Sequence, residues 1–315
     1  VADDHPLVLE AVSKHLEAEF DVVGTAADGR SAVDAALRLK PDLVVVDLTM
    51  PELNGFGATQ ELKRLGSQAK TVFLTMHDGD EYVAAAVEAG AHGYVLKSRL
   101  QPDLVSALRH ALADRLFVPS LTSLLMLADN RSQHAAHFYG DESRRLDNLS
   151  RLLGAALRRG DAVVVAGTDA TRAGVATRLA ERNMDIDGLT ERGRYIPVDA
   201  AEALSQFMRN RQPDAGLLSQ FTEQLERTRL AKAEGSPQQL TVCGEMAALL
   251  YQEGNTQGAI SLEGLWSRLT SGRQVFTVCE YPHSCFEGEA GAQFFSHVCQ
   301  QHGSVNHSPS TASAI

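Results

Sequence analysis

"VVVDLTMPELNG", running from Val44 to Gly55, poses a problem of burial. Consecutive valines favour a strand covered on both faces, as in a parallel sheet, and a charge there is expensive. Asp47 therefore belongs at the strand's carboxyl end, facing a crevice, and the turn signals of "MPELNG" fit a chain that leaves the sheet at that point. Outward from it, residues 1–116 alternate short β-branched runs with amphipathic stretches. Strands are expected at "VA" (cut short), "FDVVG", "DLVVVD", "TVFLT" and "GYVLK", and helices over 6–18, 29–39, 57–66, 80–89 and 102–114. Five strands alternating with five helices predict an α/β fold with a doubly wound five-stranded parallel sheet, right-handed crossovers and a ligand crevice at the strands' carboxyl ends.

With 315 residues and 44% apolar content the chain predicts about two domains, and no apolar run approaches the length of a membrane span. The opening "VADDHPLVLE" has neither a basic leader nor an initiator Met, and reads as a start inside a first strand. Asp plus Glu outnumber Lys plus Arg by 40 to 29, a formal charge of -11 that disfavours nucleic acid as a partner. Four cysteines, Cys243, Cys279, Cys285 and Cys299, lie in the last quarter without CxxC spacing and read as reduced thiols of a cytoplasmic protein.

Residues 117–133 break the rhythm with a Pro and a polar cluster and are expected to be a linker. A second alternating pattern follows: "AHFY", a helix over 142–159, "DAVVVAG", a helix over 169–182, "GRYIPV", a helix over 199–209, a long helix near 215–234, "QQLTVCGE", helices within 245–270, and "QVFTVCEYP". A second α/β domain is thus expected over 134–302, and the composition of "GSVNHSPSTASAI" predicts a disordered tail over 303–315.

Asp3 and Asp4 follow the first expected strand and Asp47 the third. In a doubly wound sheet these strands are neighbours, so three carboxylates converge and call for a cation; hard oxygen ligands suit Mg²⁺. Thr75 and Lys97 end the fourth and fifth strands, placing a hydroxyl and an ammonium on the same rim. Such a set can accept a phosphoryl group, with Asp47 as nucleophile and the cations neutralising charge on the equatorial oxygens. Taken singly, each residue has a plainer reading: Asp47 as a turn cap, Lys97 as a solvated charge, Thr75 as a packed strand residue and Tyr94 as core.

"ADDH", "VVVDLTMPELNG", "LTMHD" and "GYVLK" together, in order and spacing, resemble the receiver domain of two-component response regulators over residues 1–116, and "ADDHPLV" resembles the NarL/FixJ group. The resemblance implies a flavodoxin-like fold, with Asp47 as the phosphoacceptor for a histidine kinase. It implies Mg²⁺ held by Asp3, Asp4, Asp47 and the Thr49 backbone carbonyl, Lys97 contacting phosphate, and Thr75 and Tyr94 as the switch pair. Thr49 and His77, two residues beyond Asp47 and Thr75, are expected to tune phosphate lifetime.

The helix-turn-helix that NarL/FixJ receivers normally carry is not apparent. Instead "HAAHFYGDESRRLDNLSRLLGAALRRGDAVVVAG", "GRYIPVDAAEALSQFM", "VCGEMAALLYQEGN", "AISLEGLWSRL" and "FTVCEYP" resemble the MEDS domain, a sensory module thought to be a divergent relative of RecA/KaiC-type P-loop proteins and associated with small molecules. A P-loop needs GxxxxGK[ST]. "AGTDATRAGVATRLA" keeps Gly167 and Gly174 but has Arg172 as its nearest cation, which disfavours ATP hydrolysis and leaves a nucleotide or other anion at the helix start as a candidate ligand.

Glu245 reads as a catalytic or metal-binding acid or, more simply, as a helix N-terminal Glu complementing the dipole. His137 and Tyr139 read as pocket-lining or packed residues, Trp266 as a core anchor, and Glu263 as facing a pocket or solvent. Arg144, Arg151 and Arg158 recur opposite Leu146, Leu149, Leu153 and Leu157, giving one helix a basic and an apolar stripe. Cys279, His283, Cys285, His297, Cys299 and His302 offer soft metal ligands, but their spacing fits no standard zinc signature, and metal binding is disfavoured.

The expected function is that of a cytoplasmic response regulator whose phosphorylation is coupled to a MEDS-like sensory or interaction domain, with a protein contact rather than a chemical product as output and no enzyme activity of its own beyond self-dephosphorylation. A histidine kinase, a downstream signalling protein and a small molecule or nucleotide are the expected partners. The connector "LFVPSLTSLLML" could extend a homodimer interface. The alternatives are a DNA-binding transcriptional regulator and a KaiC-like nucleotide-binding ATPase.

Overall fold

The computed structural model describes residues 1–119, 134–232, 239–302 and 304–307, and divides into two compact units, Val1–Leu127 and Ala128–Ile315. In the first unit, strands β1 (Leu43–Val46), β2 (Lys70–Thr75), β3 (Gly93–Leu96) and β4 (Leu116–Phe117) lie side by side in that order, all parallel. Ala2 extends the sheet beyond β1 through parallel bridges to Val46 and Ala26. The order Ala26, Ala2, β1, β2, β3 is the doubly wound arrangement expected from the sequence. The helices Pro6–Leu16, Gly29–Leu39, Gly55–Arg64, Asp80–Ala89 and Leu100–Leu112 connect the strands.

One expectation is corrected. "FDVVG" forms no regular strand: the Val1 nitrogen donates to Gly24 O, Ala26 N–H to Val1 O and Asp3 N–H to Ala26 O, which leaves bridges in place of a ladder. Sequence also sets the helix starts. Asp28 caps Gly29–Leu39 by accepting from Ser31 N–H at 2.8 Å, and Asn54 caps Gly55–Arg64 by accepting from Gly57 N–H at 2.9 Å.

His110, on the last of these helices, is buried with Nδ1 2.7 Å from Ser106 O, and burial pushes its imidazole down to about 4. Between the ordinary histidine value and that one, only the unfolded chain takes up the proton. Stability should therefore fall as pH drops from about 6.5 to 4, by at most ~1.4 kcal/mol per pH unit from this group. Urea unfolding across that window should show a shallower slope for His110→Phe; an unchanged slope would assign the acid sensitivity elsewhere.

In the second unit six parallel strands run in the order β12-β5-β11-β10-β6-β7. They are β5 (His134–Tyr139), β6 (Ala162–Gly167), β7 (Tyr195–Asp199), β10 (Leu240–Gly244), β11 (Val275–Pro282) and β12 (Ser304–His307), with a small antiparallel pair, β8 (Met208–Arg209) and β9 (Gln212–Pro213), apart from the sheet. Every residue of β5 and β6 is buried, as continuous apolar runs in a parallel sheet require. The helix Glu142–Arg159 is capped by Asp141 and packs the expected Leu146, Leu149, Leu153 and Leu157 inward.

The tail expected to be disordered from 303 is corrected at Ser304–His307, which pairs with β5 in the register Ser304↔Ala135 to His307↔Phe138. Its polar, small residues carry no strand signal of their own; pairing supplies the second neighbour of β5, which has β11 on its other side. Residues 120–133 of the expected linker, with most of its apolar connector, and 303 and 308–315 of the tail lie outside the described residues. The helices Ile186–Glu191 and Gly288–Gln301 were not expected from the sequence.

Candidate functional site

At the carboxyl edge of the first sheet, Asp47 follows β1, Thr75 ends β2, and Lys97 follows β3. Asp3 reaches the same edge from the bridge segment. The Lys97 ammonium lies 2.7 Å from Asp3 Oδ2 and 2.8 Å from Asp47 Oδ2, so one cation joins two carboxylates that are both almost fully buried. Burial would lower the Lys97 value, but the hydrogen bonds to Asp3 and Asp47 outweigh it and raise it. The other Asp47 oxygen accepts from Leu48 N–H at 2.7 Å. Asp4 sits beside them, half-buried, 2.8 Å from His5 Nδ1, and His5 N–H donates to Asp3 Oδ1 at 2.9 Å.

Gly55 lies against this edge, and here its lack of a side chain is required: a Cβ would stand 2.3 Å from Asp47 O and 2.9 Å from the Phe73 ring. Thr75 is buried and its Oγ1 accepts from His77 N–H at 3.3 Å. His77 Nε2 is 3.2 Å from Thr49 Oγ1, which brings the two residues expected to tune phosphate lifetime together at the exposed rim. The Tyr94 ring is fully buried and its hydroxyl donates to His77 O at 2.9 Å, linking it through His77 to Thr75. Burial pushes the Tyr94 phenol up, with nearby acidic groups adding to the effect.

In the second unit a buried polar cluster centres on Arg145, which is 1% exposed. Its Nη1 donates to Glu245 Oε2 at 2.8 Å and to the Tyr139 hydroxyl at 3.0 Å, its Nη2 bonds Thr171 Oγ1, and its Cζ lies 4.6 Å from the Tyr139 ring centroid. Glu280 approaches Arg145 Nε to 4.0 Å, and its other oxygen lies 2.9 Å from His137 Nδ1. Desolvation opposes the guanidinium charge, but Glu280, Tyr139 and Glu245 prevail and raise its value.

The residues of the P-loop-like stretch are already engaged. Thr168 N–H, at the start of the helix Asp169–Glu181, donates to Glu245 Oε1, so the protein's own carboxylate occupies the anion position at that terminus. Glu245 thus complements a helix dipole, though not that of the helix Met246–Gln252 that it precedes, to which it makes no side-chain cap. Arg172 pairs with Asp169 at 2.8 Å and Asp199 at 2.7 Å. Gly174 packs against Leu146, where a Cβ would stand 2.7 Å from its Cδ1, and a Cβ on Gly167 would meet Thr171 and Glu245.

Family models match the response regulator receiver domain over residues 1–109 and the MEDS domain, described as "MEthanogen/methylotroph, DcmR Sensory domain", over residues 133–302. The chain belongs to the MEDS family. Its first unit is a response regulator receiver domain of flavodoxin-like fold. The Bacillus subtilis (strain 168) "Uncharacterized transcriptional regulatory protein YvfU" is 37% identical over 133 residues, 41% of this chain and 66% of that protein. The response regulator protein VraR of Staphylococcus epidermidis is 35% identical over 140 residues, 44% and 66% of the two chains. The chain thus spans just under two thirds of the length of these relatives. Among solved structures, a LuxR-family two-component response regulator from Aurantimonas sp. SI85-9A1 is 36% identical, covering 41% of this chain and 92% of that one at a TM-score of 0.37.

In the receiver, Asp3, Asp4, Asp47, Thr75 and Lys97 share one rim with Thr49 and His77, and the buried Tyr94 joins it through His77. In the MEDS unit, Gly167 and Glu245 meet, while Arg172 and Gly174 face other partners. Arg145 was missed in favour of the solvent-facing Arg144. The signal was present, since Arg145 precedes Leu149 by four residues and so lies on the apolar stripe. Glu263, read as facing either a pocket or solvent, is 3% exposed, and Trp266 is core, its Nε1–H donating to Thr277 Oγ1 at 2.9 Å.

Proposed function

We propose that the chain is a phosphorelay response regulator in which Asp47 accepts a phosphoryl group from a histidine kinase and the MEDS unit couples that event to a small-molecule signal or a protein contact. The observation that supports this most is the meeting of Asp47 and Asp3 on the Lys97 ammonium, with the Thr75 hydroxyl on the neighbouring strand end. An Asp47 carboxylate oxygen attacks phosphorus, the bond from phosphorus to the donor breaks, and the leaving group departs with that electron pair. Lys97 then exchanges a carboxylate for a phosphoryl oxygen, and Thr75 turns its hydroxyl toward the same group.

Two buried carboxylates sharing one ammonium, with Asp4 beside them, fit a hard divalent cation, and we assign Asp3, Asp4, Asp47 and the Thr49 backbone carbonyl as the residues that would hold Mg²⁺. When bound, the ion neutralises charge on the transferring group. Tyr94 is the element that reads the change, because its hydroxyl is held by His77, next to the Thr49 contact and two residues from Thr75. Replacing both Thr49 and His77 by Ala should alter acyl-phosphate decay severalfold, about 0.5–1.5 kcal/mol in barrier, since their contact is a single hydrogen bond. Equal decay rates in a stopped-donor assay would count against that role.

We read the MEDS unit as a degenerate relative of P-loop folds. A helix begins directly after Gly167 of β6, beside β10, where the chain connections of the two strands diverge, and the Glu245 carboxylate stands where a phosphate would sit. A nucleotide at this loop would have to displace Glu245 from Thr168 N–H, which argues for signalling rather than turnover. Among the described residues no helix is long and apolar enough to cross a membrane, and a cytoplasmic setting is part of the proposal. Native mass spectrometry of the full chain with and without a small phosphodonor tests the proposal. It should show a donor-dependent phosphoryl adduct together with a shift in assembly or retained ligand. An adduct that leaves assembly, retained ligand and hydrogen exchange in the MEDS unit all unchanged would sink the coupling.

A further inference from the structure

Apart from the Arg145 cluster, the MEDS unit gathers a second set of polar side chains from four separate elements. His134 opens β5, Glu263 lies on the helix Thr256–Thr270, Cys279 lies within β11, and His302 follows the helix Gly288–Gln301. His134, Glu263 and His302 are buried and Cys279 nearly so, and one ligand atom from each of the four lies within 4.8 Å of the others. We propose that these four residues bind a borderline transition-metal ion, with Zn²⁺ the best match, independently of the receiver reading above.

The spacing of donor atoms carries the assignment. His134 Nε2 is 3.1 Å from Cys279 Sγ and 3.2 Å from Glu263 Oε2; Glu263 Oε2 is 3.3 Å from His302 Nε2 and 3.6 Å from Cys279 Sγ. A tetrahedral zinc ion with ordinary Zn–N, Zn–O and Zn–S bonds separates its ligand atoms by roughly 3.3–3.6 Å. Both imidazoles are oriented for the role. His134 Nδ1 is 2.7 Å from Ser267 Oγ and His302 Nδ1 is 2.6 Å from Val298 O, so each ring turns Nε2 into the cluster. His302 Nε2 faces Glu263 Oε2 without an aligned hydrogen bond, although the residue is 2% exposed. The second Glu263 oxygen accepts from the Tyr281 hydroxyl, which fixes the carboxylate plane.

Charge favours the same occupant. A thiolate, a carboxylate and two neutral imidazoles sum to minus two, which a divalent ion cancels in a largely buried site. Binding by the thiol breaks the S–H bond, forms a metal–sulfur bond and releases that proton. Four protein ligands close the coordination sphere and tie two neighbouring strands to two helices, as a structural ion does. The sequence hides the site because residues 134, 263, 279 and 302 follow no local ligand spacing.

The test uses the full chain, stripped of metal and titrated with Co²⁺ as a spectroscopic substitute. The expected result is a set of tetrahedral d–d bands with a thiolate-to-cobalt charge-transfer band, saturating at one ion per chain and displaced by Zn²⁺. The charge-transfer band should persist in Asp47→Asn and in Cys285→Ser and vanish in Cys279→Ser. Absence of the band in the wild-type chain, or its survival in Cys279→Ser, would overturn the proposal. A thermal melt of the wild type followed at Trp266, the sole tryptophan, provides a reading that needs no variant. Zn²⁺ should raise the midpoint and a chelator lower it, whereas a midpoint indifferent to both contradicts the site.

Discussion

Asp47→Asn is expected to abolish phosphoryl incorporation from a small phosphodonor. The amide is isosteric, so Leu48 N–H keeps an oxygen to donate to and the turn that follows β1 keeps its shape. What disappears is the anionic oxygen that attacks phosphorus, and an amide has no comparable nucleophile, so labelling should fall by at least about a thousandfold. Fold loss is not the expected cause, since Lys97 retains Asp3 at 2.7 Å. Radiolabel transfer to the intact variant, with circular dichroism as a control, measures this; labelling near the wild-type level would move the phosphoacceptor to another residue.

The second large effect belongs to the MEDS unit. Arg145→Met keeps much of the side-chain volume but removes the charge that Glu245 and Glu280 face. Breaking a buried pair by deleting one partner strands the other charge, at a cost of about 3–5 kcal/mol. Lysine should rescue only in part, because Arg145 serves Glu245 and Tyr139 from Nη1 and Thr171 from Nη2 of one planar fork. The same pairing sets a pH dependence. Burial would raise the Glu245 carboxyl, but Arg145 and the Thr168 hydrogen bonds win and hold it below its ordinary value. Its stabilising contribution is therefore present above the unfolded carboxyl value, about 4.3, and is lost as pH falls through the lower folded value. Urea unfolding of the full chain should show the Arg145→Met deficit at neutral pH narrowing in acid; a deficit that widens in acid would contradict the charge argument.

The receiver was legible in sequence because its chemistry sits at strand ends, where the switch from apolar run to turn residues marks both the fold and the rim. Asp47, Thr75 and Lys97 each follow a buried β run directly, so reading the strands placed the side chains. The one strand that failed, "FDVVG", did so because pairing depends on a neighbour that its own residues do not encode. In the MEDS unit two of the important groups, Arg145 and Glu263, lie inside helices rather than at strand ends. Arg145 is one turn from Leu149 on an apolar stripe but adjoins the exposed Arg144, and Glu263 occupies the buried face of a helix, where the periodic pattern leaves pocket and solvent equally open. The proposed metal cluster is hidden for a different reason: of the six cysteines and histidines singled out from sequence, Cys279 and His302 belong to it, and its other members, His134 and Glu263, share no local spacing with them.

Borohydride trapping of the wild-type chain after incubation with acetyl phosphate and Mg²⁺, followed by peptide mass spectrometry, tests the central claim most directly, since it marks the residue that carried the acyl phosphate. The account predicts a reduced residue at Asp47 that depends on the donor and on divalent cation. Reduction at another carboxylate, or no donor-dependent reduction in folded protein, would contradict it.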